Sequence, residues 1–274
     1  MNNYLWIFMR TLILFFLTAS FSSLFALDVK VDMGTGLFYS GAKGRIDYLE
    51  KSFQGSNAVT DISSATNFYI WGDFETSNPY LPKLRLEYLK ISAEGGSQAH
   101  LESSVDAIKE LIKKLEPLGL NDKNWNSQLQ HNIYDIDLYY EFFEKSDWPS
   151  IGLGLGYKYF DYIYIMDIDL VPGLQFGDRD SSGAPMLFFS SRYDVPSIQM
   201  GFEADAKVYL FGDSDMYDWK VKIDLMFELD QNTALGAEFG YRQQYFNLTG
   251  SDVEKVTGNM TYEGIFVGAV LKFK

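Results

Sequence analysis

The sequence predicts an all-β protein, an antiparallel transmembrane β-barrel of about ten strands, with one short amphipathic helix in a long extracellular loop. Three observations carry this. Apolar and polar side chains alternate with period two over most of the chain. Several alternating segments exceed the usual soluble strand of about 5 to 6 residues and reach the roughly 9 to 11 that a membrane strand needs. Short connections, several bearing proline, alternate with long ones, as on the two rims of a membrane barrel.

Met1 to Ala26 contain one charge, Arg10, followed by an apolar run from Thr11 to Ala19 and the small-residue stretch Ser20 to Ser23. This reads as a secretory signal peptide, which divides the chain into a signal peptide, residues 1–26, and a barrel, residues 27–274. Beyond that segment no apolar run reaches the roughly 18 residues of a spanning helix, so membrane residence must use strands.

The predicted strands are Asp28–Tyr39, Asn67–Glu75, Leu84–Ile91, Asn132–Phe143, Ile151–Asp161, Leu187–Val195, Ile198–Phe211, Met216–Leu229, Ala234–Phe246 and Tyr262–Phe273. Met216–Leu229 shows the pattern most plainly. Tyr217, Trp219, Val221, Ile223, Leu225, Phe227 and Leu229 share one face, against Asp218, Lys220, Lys222, Asp224, Met226 and Glu228 on the other. An even count puts both termini on one side, with the short connections. Tyr162–Leu170 could extend a strand above the membrane. Within the long connection Ser92–His131, Leu101, Val105, Ile108, Leu111, Ile112 and Leu115 fall at helical spacing, ended by Pro117 and Gly119. This helix is expected to fold over the barrel mouth.

Composition narrows function. The net charge of -14 lacks the clustered Lys/Arg of a nucleic-acid binder. With no cysteine and only His100 and His131, thiol chemistry and zinc binding are not expected, nor is any cofactor.

At the C-terminus, Ile265, Val267, Ala269, Leu271 and Phe273 alternate with Gly264, Phe266, Gly268, Val270 and Lys272, and Lys274 follows. This resembles the terminal-strand signal of Gram-negative outer-membrane proteins, so the resemblance marks Phe273 and Leu271 as an assembly signal read by the barrel-assembly machinery. Together with Tyr69-Ile-Trp-Gly-Asp-Phe-Glu75 leading into Pro79 and Pro82, Tyr134-Asp-Ile-Asp-Leu-Tyr-Tyr140 and Gly240-Tyr-Arg242, the mature chain resembles an uncharacterised family of Gram-negative outer-membrane β-barrel proteins. The resemblance implies residence in the outer membrane, among its lipid and lipopolysaccharide, and no established activity.

The polar faces place a mixed set of charges inside the barrel: Asp32, Glu75, Arg85, Glu87, Asp135, Asp137, Lys158, Glu203, Asp205, Lys207, Lys220, Lys222, Asp224, Glu238 and Arg242, with Lys30, Asp73, Glu141, Arg192, Asp194, Asp218 and Glu228 on the same faces. Fixed charges of one sign would line an ion pathway. Mixed signs in a narrow barrel instead favour pairing that fills the lumen. An omptin-like rim protease would need an Asp–His pair with further acids, for which His131, Asp135, Asp137, Asp167 and Asp169 are the available residues. The reading is a monomeric, non-enzymatic barrel with a structural or surface-interaction role; a narrow solute channel and a rim enzyme are the alternatives.

Overall fold

The computed structural model describes residues 29–50, 53–102, 124–143, 148–167, 175–209, 215–248 and 256–273. Ten strands follow in chain order: β1 (Val29–Glu50), β2 (Phe53–Thr76), β3 (Lys83–Glu102), β4 (Asn124–Phe142), β5 (Ser150–Asp167), β6 (Gln175–Val195), β7 (Met200–Val208), β8 (Asp215–Glu228), β9 (Thr233–Leu248) and β10 (Val256–Phe273). Each pairs antiparallel with its chain neighbours, and β1 pairs with β10 from Val31–Phe273 to Tyr48–Val256, closing the barrel. Closure leaves no sheet edge, the condition for strands to stand in hydrocarbon, where an unpaired N–H or C=O has no water to bond.

The period-two pattern sets which face is wet. Along β8, Val221, Ile223 and Leu225 are exposed on the outer wall, whereas Lys220, Lys222 and Asp224 are buried inside. The same alternation puts Ile136 and Leu138 of β4, Leu153 and Leu155 of β5 and Ile265 and Val267 of β10 outside. Aromatic side chains bound this apolar band at both heights. Tyr39, Tyr134, Tyr159 and Tyr217 stand toward the long-strand rim; Tyr80, Phe143, Trp148, Phe227 and Phe273 stand toward the rim that carries the tight turns and the last residue of β10. Amphipathic rings settle at such interfaces. The β8–β9 turn on this rim is tied by Asp230, whose Oδ1 accepts the Asn232 N–H at 2.8 Å, and that bond holds the Asp230 carboxyl below its ordinary pKa.

The strands run well past the expected bounds on the opposite rim. Much of Ser40–Thr66 is strand: β1 continues to Glu50 and β2 begins at Phe53. The register shifts between Ser40 and Gly44 and again between Ile62 and Phe68, so bulges interrupt the alternation where the sequence pattern stops. The helix expected from Leu101 is corrected at its start, because β3 runs on to Glu102 and pairs Gln98–Glu102 with Gln54–Ala58 of β2. Its remainder lies outside the described residues, as do the signal segment and Asp169. Tyr162 to Asp167 does extend β5. β7 is shorter than Ile198–Phe211: Pro196–Ile198 forms a 3-10 turn, and the strand ends at Val208.

Replacing Ile223 by Arg is expected to cost roughly 2 to 4 kcal/mol if the residue sits near the bilayer midplane. Gln231→Arg in the exposed β8–β9 turn should stay within about 0.5 kcal/mol. Guanidinium unfolding from phospholipid vesicles measures both.

Candidate functional site: the lumen

Alternate residues of every strand enter the lumen, and they fall into three tiers. At the turn-side mouth a cavity of about 610 Å³ opens between Lys30, Asp32, Glu75, Lys83, Glu141, Arg192, Asp194 and Lys272. Ion pairs line it. Lys83 Nζ lies 3.0 Å from Glu75 Oε2 and 2.5 Å from Glu141 Oε2, and Lys30 Nζ lies 2.9 Å from Glu75 Oε1. Arg192 reaches Asp194 at 2.6 Å and both Glu203 and Asp224 at 2.9 Å. Lys272 joins Asp224 at 3.2 Å and Asp32 at 3.6 Å.

The middle tier is buried and ionic. Arg85 bonds Asp73 and Asp205 at 2.5 Å each and approaches Glu203 at 3.1 Å. Its guanidinium lies 5.6 to 6.0 Å from the ring centroids of Phe188, Tyr139 and Trp71. Lys222 bridges Glu238 at 3.1 Å and Glu203 at 3.5 Å; Lys220 bridges Glu87 at 2.9 Å and Asp205 at 3.4 Å. Arg242 clasps Glu87 and, at 2.6 Å, Asp218. Lys158 holds Asp135 at 2.8 Å and Asp218 at 2.9 Å, while Lys207 holds Asp137 at 2.8 Å and Asp135 at 3.2 Å. Leaving aside Asp161 on the outer wall, six buried cations thus face eight buried carboxylates. Such a field is mixed in sign and has little selectivity of its own.

Above it, toward the long-strand rim, lies an apolar roof: Phe38, Leu89, Ile91, Ile133, Phe160, Met186, Phe246 and Tyr262, all buried. His131 sits inside this roof, packed against the rings of Phe246, Phe160 and Tyr262 at 5.2 to 5.8 Å, with Nδ1 3.3 Å from the Tyr262 hydroxyl.

All fifteen of the first-named lumen charges project inward, Asp32 and Glu75 in the mouth and the other thirteen in or beside the ionic tier. Lys272, Lys83 and Gln244, whose amide donates to Asp218 at 2.8 Å, complete the network; the period-two parity of the sequence already placed Lys272 opposite the lipid face, and Lys83 and Gln244 on the faces of Arg85 and Arg242. Glu228 is corrected: it ends β8 exposed at the turn-side rim. His131 is neither a rim residue nor a solvated loop histidine, because β4 begins at Asn124 and carries it indoors. Asp135 and Asp137 are engaged by lysines, and among the described residues the hydrogen-bond partner of His131 is Tyr262. The apolar roof was the larger omission. Its signal was a run of apolar residues that breaks the alternation, as in Leu37-Phe38-Tyr39 and Tyr159-Phe160.

A closed hydrogen-bonded wall, apolar outside between two aromatic girdles and ionic within, is a structure made to stand in lipid. The protein has the fold of a ten-stranded transmembrane β-barrel. No protein-family model matches the chain, and no curated protein matches it. Similar solved structures include the outer membrane protease OmpT from Escherichia coli, at 10% identity over 89% of this chain and 96% of that one, with a TM-score of 0.47. OprG from Pseudomonas aeruginosa is 11% identical over 89% and 95% of the two chains, with a TM-score of 0.34. Neisserial surface protein A is 12% identical over 90% and 96%, with a TM-score of 0.29.

Arg242→Met in this barrel removes one of the partners of two buried carboxylates, Glu87 and Asp218, which keep Lys220 and Lys158, and a loss of about 1 to 3 kcal/mol is expected. Lys30→Met, at the open mouth, should cost at most about 1 kcal/mol. Equilibrium refolding into detergent micelles compares the two.

Proposed function

We propose that this outer-membrane barrel is non-conducting and non-enzymatic, with a lumen built for stability and a structural or surface-interaction role carried by its tall extracellular strands. The single observation that supports this reading best is the double closure of the lumen: a paired ionic tier with an apolar roof above it. The mouth cavity on the turn side is a dead end beneath both. In barrels of this kind the tight turns belong to the periplasmic rim, which gives β1 to β6 the outward reach. Lipid and lipopolysaccharide surround a monomer, and Phe273 and Leu271 face outward along β10 in register with Val31 and Met33 of β1. We assign these two residues to recognition by the barrel-assembly machinery.

Single-channel recording on refolded protein in planar bilayers is expected to show no steady conductance at neutral pH. A large, steady, ion-selective current would replace this reading with that of a narrow solute channel. For assembly, Phe273→Ser should lower the heat-modifiable, folded fraction recovered from outer membranes. Undiminished folding of that variant would withdraw the terminal-signal assignment.

A further inference from the structure

We propose that Tyr69 and Trp71 of β2 form an internal strap that holds the closing seam of the barrel shut. Each other pair of neighbouring strands is consecutive in the chain; β1 and β10 alone meet without being consecutive. Nothing covalent limits their separation, so the seam relies on its backbone ladder and on whatever crosses it.

Glycines clear a path across the seam. Gly36 pairs with Gly268, and Gly34 pairs with Val270. A Cβ added at Gly34 would strike the Trp71 indole; one at Gly36 would come within 2.6 Å of the Tyr69 hydroxyl, and one at Gly268 would strike that hydroxyl too. The two aromatic side chains therefore lie flat over β1 and β10. Their polar ends land on β9, beyond the seam: Tyr69 Oη donates to Glu238 Oε1 at 2.7 Å and Trp71 Nε1 donates to the same oxygen at 2.9 Å. Lys222 fixes the other oxygen at 3.1 Å, and its Nζ stands 4.0 Å from the centre of the Trp71 ring. The Tyr69 ring also meets Phe266 of β10 edge-on at 5.6 Å. The space left among these groups is about 10 Å³, room for one water at most.

The strap ties β2 to β9 over both seam strands through two charge-assisted hydrogen bonds in a dry site. It makes β1–β10 resist lateral parting, a property separate from whether the lumen conducts.

The test uses Tyr69→Phe/Trp71→Phe, which keeps two rings and deletes both donors. In phospholipid vesicles it should unfold about tenfold faster or more than the parent, with the heat-modified gel shift at lower temperature. The chain has no cysteine, so engineered disulfides are unambiguous. An oxidised Leu37→Cys/Val267→Cys pair, across the seam and facing lipid, should restore the parental rate, whereas Leu153→Cys/Phe189→Cys across β5–β6 should not. If the double variant does not fold, Tyr69→Phe alone carries the same comparison with a smaller effect. Parental unfolding rates in the variant, equal rescue by both disulfides, or rescue by neither would each overturn the strap.

Discussion

A backbone amide placed in hydrocarbon has no solvent to bond, and leaving one unpaired costs several kcal/mol. Every other feature of this barrel follows from meeting that requirement. The ladder must close on itself, so β1 must find β10 although more than two hundred residues of chain lie between them. Closing ten strands fixes a narrow interior, and the pleat then sends alternate side chains into it. Once the outer face has been given to lipid, the inner face is the place left for charge.

Charge inside a narrow, water-poor tube brings its own requirement. A buried ion without a partner is far costlier than the same ion at a surface, because its hydration is lost and nothing replaces it. The barrel answers with bridging rather than simple pairing. Asp218 accepts from Lys158, Arg242 and Gln244, and Arg85 reaches three carboxylates while lying among three aromatic rings. Some of these contacts join neighbouring strands, but Arg85–Asp205, Lys158–Asp218 and Lys220–Glu87 join strands far apart around the wall, so the network braces the tube across its diameter. The apolar roof packs above this network as an ordinary core, with His131 kept among rings.

Much of this was legible in β8, where one strand shows both faces without interruption, and in the inward parity of the fifteen charges. Strand ends were less so, for reasons that are local and physical. Alternation fails at Ser40–Gly44 because a bulge shifts the register. It fails in β3 beyond Ile91, where Gly95 and Gly96 are poor strand formers. Partner choice was not legible at all. Nothing near Lys158 in the chain points to Asp218, and nothing near Trp71 points to Glu238, since those contacts exist only after closure.

The strands differ greatly in length: β2 has 24 residues and β7 has nine. A membrane crossing uses about 9 to 11, so β7 barely clears the bilayer while β1 to β3 stand as a crest on one side. The molecule therefore has a compass direction in the plane of the membrane. A body drifting laterally meets a palisade from one bearing and an open shoulder from the opposite one, and a body arriving from the crest's side touches the crest before it touches lipid. Rotation about the barrel axis, which would be invisible in a tube of even height, becomes here a variable that decides what a neighbour encounters.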